Sequence, residues 1–411
     1  MNNYIKKPEL LMPAGSLDLL KTAVLFGADA VYVGDETMSL RAKAKNFTIS
    51  DIKEGVKFAH EHGAKVYVAA NIFAHNSDLA NAMKLFLQLK PIHPDALIIS
   101  DPGVFELARS LVPEIPVHIS TQSNNTNFGT YMFWHKLGAE RVVAARELTL
   151  TELAQIKENI DDGMEIEAFV HGAMCISYSG RCLISNFLTG RDANQGACTH
   201  PCRWSYALME ESRPGEYMPV FEDERGTYLY HSKDMCMIEH IPELVNCGIA
   251  SLKVEGRMKN ALYVATVARA YRRAIDEYFE SPELYESHKA EYLEEVCKSS
   301  NRTFCTGFYF GTPGPEAQVY DSNVTLTEYK YLGTIEITDG KPSFIQKNKF
   351  SVGDEIEVIR PKETVKAKVL ELIDEEGNSV PDAPHASTRM FPVLDTELFE
   401  NDILRMKSGE N

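Results

Sequence analysis

No stretch of the chain approaches the roughly 18 uninterrupted apolar residues that a membrane-spanning helix needs, and the opening run MNNYIKKPELLMPAGS holds no apolar core of signal-peptide length. A cytoplasmic location without membrane contact is therefore expected. A glycine-rich phosphate loop is also missing. The turn after the first predicted strand reads Met12-Pro13-Ala14-Gly15, which argues against a doubly wound dinucleotide-binding sheet. Neither His-Glu-x-x-His nor Gly-x-Ser-x-Gly occurs, so a zinc-peptidase helix and a serine-hydrolase elbow are both excluded. Positive charge is in deficit, with 42 basic against 59 acidic side chains and a net charge of −17. Any polyanionic partner must be met by local clusters of Lys and Arg, whatever the global balance.

What is present is the composition of a globular protein, 44% hydrophobic and 25% charged, in a chain long enough for two or three domains or for one barrel with an accessory module. Short apolar runs alternate with helical patterns from the N-terminus, the pattern of βαβ units. Strands are predicted at 10–13, 30–34, 65–71, 96–100, 117–121, 141–145 and 166–171, with helices such as 16–26, 51–62, 79–90 and 150–159 between them. An eighth strand, 251–255, and its helix, 261–279, follow an interruption of the pattern. Eight such units predict a (β/α)8 TIM-like barrel over residues 1–280, with a cysteine-rich insertion at 172–250 leaving its C-terminal face, where catalytic loops of such barrels gather. A helical connector is expected over 281–320. Beyond it, short alternating runs at 331–337, 342–346, 354–359 and 365–372 predict a small antiparallel β-barrel over 321–411. That module carries 11 basic and 18 acidic residues, so it is no general phosphate-binding surface, although Lys347 and Lys349 form a local patch.

Eight cysteines in a cytosolic chain of this size point to metal or redox chemistry rather than to a disulfide framework. Cys175, Cys182, Cys198 and Cys202 fall in one polar, glycine-rich segment, and Cys236 follows closely enough to return to the same place. Structural zinc favours paired Cys-x2-4-Cys knuckles, a spacing met only by Cys198 and Cys202. Thiolates from separate loops suit an iron–sulfur cluster. Buried free thiols without a metal are the third reading.

The run Glu167-Ala-Phe-Val-His171-Gly-Ala-Met-Cys175, with Gly180-Arg-Cys182 behind it, resembles the signature of the collagenase-like peptidase family U32. Pro13-Ala-Gly-Ser16, Ser120-Thr-Gln122, Ala145-Arg-Glu147, Lys253-Val-Glu255-Gly-Arg257, Asn301-Arg302 and Thr306-Gly-Phe308 extend the resemblance over most of the chain. It implies a barrel enzyme nearest to the bacterial members that hydroxylate the wobble uridine of tRNA with prephenate as a required metabolite. Related members hydroxylate a ribosomal RNA cytidine, and several hold a [4Fe-4S] cluster. The resemblance assigns the cluster ligands to Cys175, Cys182, Cys198 and Cys236, with Cys202 in reserve. It implies tRNA, through its anticodon region, and a shorter family paralogue as partners. The rival readings are a peptidase, with a cysteine nucleophile served by His171 or His200, and a non-catalytic cluster-bearing scaffold.

Several polar side chains are predicted at the ends of the barrel strands. His171 closes strand seven, where an imidazole could move a proton or serve only as a structural group. Arg146 and Glu147 close strand six, and Lys253, Glu255 and Arg257 close strand eight. They form either a dicarboxylate pocket or mutual salt bridges. His171, Glu147 and Glu255 are the candidate catalytic groups, and Gln122, Arg146, Lys253 and Arg257 the candidate substrate ligands, with Gln122 placed to meet a nucleobase edge. Basic residues gather locally at Arg41, Lys43 and Lys45, at Arg181, Arg191 and Arg203, and along 251–273, where Arg269, Arg272 and Arg273 are either an RNA-facing or a solvated face. Trp204 and Tyr206 are available for base stacking.

Overall fold

The computed structural model describes residues 6–40, 46–175, 177–204, 207–208, 218–219, 231–299, 302–313, 318–319, 328–383 and 386–408. The predicted basic group at Arg41, Lys43 and Lys45, together with Tyr206 and Asn301, lies outside them. Strands β1 (Glu9–Pro13), β2 (Ala30–Gly34), β3 (Lys65–Ala70), β4 (Ala96–Ile99), β5 (Val117–Ile119), β6 (Arg141–Val143), β7 (Glu165–Ala173) and β8 (Ser251–Val254) pair in parallel, each with the next. The sheet closes because Ser251 pairs both with Glu9 of β1 and with Glu167 of β7. This is the (β/α)8 barrel that the sequence predicts.

Strand alternation divides the side chains into two sets. Leu10, Met12, Val31, Val33, Val66, Val68, Leu97 and Ile99 point outward into the shared core with the helices. Leu11, Ala30, Tyr32, Tyr67, Ala69, Ala96 and Ile98 form a separate cluster that fills the inside. The surrounding helices are α1 (Leu17–Leu25), α2 (Ile49–Glu61), α3 (Leu79–Leu89), α4 (Pro102–Leu111), α5 (Phe128–Lys136) and α6 (Leu150–Glu158). Their starts are fixed locally: Ser16 caps α1, and Thr48 with Asp51 and Thr149 with Glu152 make reciprocal capping boxes on α2 and α6.

The insertion contains α7 (Ile184–Thr189) and, near its end, α8 (Ile241–Asn246). It leaves and re-enters at one place, because β7 runs past the barrel rim and its end pairs antiparallel with the short strand Asp234–Cys236, Ala173 against Asp234 and His171 against Cys236. Gly172 is required at this crossing. Its φ is +105°, and a Cβ there would lie 2.5 Å from the backbone oxygen of Glu255.

After β8 come the long α9 (Ala261–Glu280) and the antiparallel α10 (Pro282–Cys297). The arginines of α9 are engaged in ion pairs within the protein, and Arg273 stays exposed as a solvated face requires. Arg269 donates to the backbone oxygens of Arg360 (2.9 Å) and Glu363 (2.8 Å) and pairs with Glu295 at 2.7 Å. Arg272 pairs with Asp29 and Asp276, and Arg273 with Glu277 and Glu291. Their charge is neutralised within the protein, and Arg269 ties the barrel to the C-terminal module.

That module is an antiparallel, barrel-like sheet running Tyr329–Thr334, Ile403–Lys407, Glu355–Ile359, Thr364–Ile373, Arg389–Leu394, Lys341–Ile345 and Glu336–Thr338. It encloses its own core of Leu332, Phe344, Phe350, Ile356, Val358, Val369, Leu372 and Leu404. Buried Arg405 joins it to α10, bonding Glu357 at 2.7 Å and Glu295 at 3.1 Å. Lys349 of the predicted patch pairs with Asp382 at 3.0 Å. Among the described residues, no helix is long and apolar enough to cross a membrane.

Candidate active site at the barrel mouth

A cavity of about 380 Å³ opens at the C-terminal ends of the barrel strands. Tyr32, Ala69, Ile98, Val143, Phe169 and Lys253, the uppermost inward side chains, make its floor, and the insertion covers one side with Cys175, Tyr178, Cys182, Cys198 and Cys202. Beneath the floor the barrel interior is ionic. Arg141 bonds Glu9 (2.6 Å), Glu165 (2.6 Å) and Glu167 (3.2 Å), and Tyr67 and Ser251 donate to Glu9 at 2.6 and 3.0 Å. These buried charges satisfy one another, as burial requires.

Of the charged residues expected at the mouth, Arg146, Lys253, Glu255 and Arg257 line the cavity. Lys253 reaches down to fully buried Glu167 at 2.7 Å and lies 4.5 Å from the ring centre of Tyr32. Arg146 pairs with Glu255 at 3.1 Å, donates to the Ala173 carbonyl, and stacks 3.9 Å over Phe169. Arg257 is buried, with Ser39 Oγ and Asn46 Oδ1 at 3.2 and 2.9 Å. Its guanidinium occupies space that only a glycine leaves at position 34, where a Cβ would come within 2.5 Å of it. Sequence reasoning did not find Glu167 or Asn46. Glu167 was visible as a charge two residues before Phe169 in an otherwise apolar strand.

Two of the three candidate catalytic residues stand elsewhere. Glu147 follows Arg146 but does not line the mouth cavity; it lines a neighbouring groove with Thr149, Cys175 and Tyr178. Burial raises its carboxyl above the usual range. His171 was expected at the mouth, but β7 extends beyond it and its ring is buried among Tyr263, Tyr271 and Phe304. Its Nδ1 lies 3.4 Å from Tyr271 Oη, and its Nε2 has no partner among the described residues. Burial lowers its pKa to about 4, so the ring is neutral near pH 7. Its surroundings are those of a structural histidine.

The cysteines also divide. Cys175, Cys182, Cys198 and Cys202 line the cavity. Burial pushes the Cys182 thiol up, and neighbouring Cys175 and Cys198 push it further. Cys198 Sγ lies 4.0 Å from His200 Nδ1. Cys236 does not line the cavity. It is buried with Sγ 3.9 Å from Tyr271 Oη, and burial pushes its thiol up to about 12. Among the described residues no three His, Cys, Asp or Glu side chains are gathered closely enough to hold a metal ion.

Polar groups complete the far wall. Asn71, Ser120 and Gln122 line the cavity at the ends of β3 and β5. Tyr178 and Met258 line the cavity and are exposed, and the insertion also exposes Leu183, Phe187 and Trp204, apolar and aromatic surface of the kind on which bases stack.

Residues 15–319 match the family model described as Peptidase family U32, and residues 327–405 match the one described as Peptidase family U32 C-terminal domain. Over 404 residues the chain is 41% identical to the protein named tRNA hydroxylation protein P1 of Bacillus subtilis (strain 168), spanning 97% of this chain and 95% of that one. It is 37% identical over 448 residues to tRNA hydroxylation protein P of Escherichia coli (strain K12), spanning 98% of each. Another relative from Escherichia coli (strain K12), named 23S rRNA 5-hydroxycytidine C2501 synthase, is 37% identical over 272 residues, 66% of this chain and 40% of that one.

Proposed function

The chain belongs to peptidase family U32, and from that premise we propose that it is an RNA-modifying enzyme that hydroxylates C5 of the wobble uridine of tRNA. The reading includes prephenate as co-substrate, a [4Fe-4S] cluster as cofactor and a shorter family paralogue as partner. The observation that carries it is the mouth cavity, where cations, amide groups and thiols meet over an aromatic floor. Relatives named for hydroxylation of tRNA and for rRNA 5-hydroxycytidine synthesis support a nucleic-acid hydroxylation.

The donor set fits such a cluster in its chemistry. Cys175, Cys182 and Cys198 are soft ligands on one cavity wall, the outer two near enough to act on the Cys182 thiol. They would hold the cluster with a fourth thiolate. Cys202 already lines the cavity, whereas Cys236 would have to leave its buried place beside Tyr271. When bound, the cluster supplies one-electron or Lewis-acid chemistry.

The chain's own residues bind and orient. Arginine presents a planar fork suited to carboxylates, so Arg257 and Arg146 are assigned to the co-substrate. Arg146 would exchange part of its bond to Glu255 for it. Glu255, held at the cavity wall, is the carboxylate best placed to take up a proton there. The insertion covers one side of the floor.

In cells lacking their own tRNA hydroxylation genes, the chain should restore 5-hydroxyuridine to tRNA, read by mass spectrometry of digested tRNA. Cys175→Ala and Cys182→Ala should abolish it. Anaerobically purified protein should be brown and contain iron and sulfide. Folded, soluble protein that restores no modified uridine would discard the reading, and colourless protein with one tight zinc would discard the cluster.

A further inference from the structure

We infer that Gln122 selects the pyrimidine, donating a hydrogen bond to a carbonyl at ring position 4 and so favouring uridine over cytidine. The inference rests on the hydroxylase reading and names how its substrate is told apart from the nearest alternative.

A glutamine side chain can present either its oxygen or its amide N–H2 to a ligand, and which end faces the cavity is normally ambiguous. Here a relay fixes it. The backbone N–H of Leu40, which can only donate, bonds Asn71 Oδ1 at 3.2 Å. Asn71 therefore turns its Nδ2 the other way, where it reaches Ser120 Oγ at 3.4 Å and Gln122 Oε1 at 3.5 Å. Since Ser120 Oγ accepts from Asn71, its own proton is available, and it too is given to Gln122 Oε1. The oxygen end of Gln122 is thus occupied by two donors. Its Nε2 has no partner among the described residues, and the side chain lines the mouth cavity.

The group offered to substrate is consequently an N–H donor. Uridine carries a carbonyl acceptor at position 4, and cytidine carries an amine donor there. A cytidine in the same pose would set donor against donor and leave both without that hydrogen bond. The relay begins at a backbone amide, so the preference is built into the fold rather than into one side chain.

The test uses the full-length protein, purified anaerobically, and RNA anticodon stem-loops that differ only in uridine or cytidine at the modified position. Affinity is read by fluorescence anisotropy. The parent should favour uridine by about 10- to 100-fold, the discrimination of one base-edge contact. Gln122→Leu should erase the preference with little change in melting temperature. Gln122→Glu, which offers an acceptor in the same place, should shift it toward cytidine. Asn71→Asp keeps the acceptor for Leu40 but removes the donor that orients Gln122, so the preference should fall toward unity without inverting. If Gln122→Leu and Gln122→Glu keep the parental preference, Gln122 is not the selector, while the hydroxylase reading stands. If the parent binds neither stem-loop and restores no 5-hydroxyuridine in cells, both are overturned together.

Discussion

The two ends of the barrel use the same kinds of side chain to opposite purpose. At the base, Arg141, Glu9, Glu165 and Glu167 close on one another and on Tyr67 and Ser251. At the mouth, Arg146 and Glu255 pair across the edge of an open cavity, and Gln122 keeps its amide nitrogen unspent. Buried charges that satisfy each other fix the strands; polar groups held in place but partly unspent are what a ligand can use. Lys253 joins the two layers, with its ammonium on Glu167 below and its stem in the cavity floor.

Breaking the base should cost most. Arg141→Ala would take the cation from Glu9 and leave Glu167 and Glu165 with only Lys253 and Lys6, and we expect a loss of about 3–5 kcal/mol in chemical denaturation. A change under about 1 kcal/mol would show that the interior network is not structural. At the mouth, Arg146→Ala removes one partly exposed ion pair and one cation–π contact, so the expected loss is only about 1–3 kcal/mol, while tRNA hydroxylation should fall severely. Equal damage from both changes to stability, with hydroxylation spared in Arg146→Ala, would erase the contrast between the two ends.

His171 gives a subtler effect. Its folded pKa, about 4, is depressed from 6.5 by burial, so the unfolded chain takes up a proton first. Its contribution is complete above pH 6.5 and is lost as pH falls toward 4. Denaturant midpoints should drop over that window, and His171→Leu should flatten the slope. An unchanged slope would mean that His171 is not a source of the acid sensitivity. A second acid-sensitive group is Glu295. Burial raises its carboxyl, but Arg405 and Arg269 outweigh this and hold it near 2. Its contribution is present above the unfolded value near 4.5 and is lost as pH falls through 2. Glu295→Gln should lower stability at pH 7 and lessen the further loss between pH 4.5 and 2.

The barrel was legible because each buried strand is a short apolar run and several helices carry a cap, as at Ser16, Thr48 and Thr149. The insertion was legible because it interrupts that rhythm. The mouth cations were legible because they stand at strand ends. What escaped depended on where a strand stops and which way it faces. His171 was placed at a rim that β7 in fact overruns, and Glu147 stands in the turn after β6, where strand alternation no longer tells which way a side chain faces. The partners of Arg269 lie about 90 residues away in the C-terminal module, a separation that local pattern does not carry.

The pairing of Ala173 with Asp234 has a consequence for how such a molecule can change over time. The excursion between them departs and returns at neighbouring points of one ladder, so its length is decoupled from the barrel's geometry. Doubling such a loop costs only about 0.6 kcal/mol in closure entropy. Segments can be gained or lost within it while the strand ends keep their positions, and a lineage can try new lids over an old floor without refolding the vessel beneath.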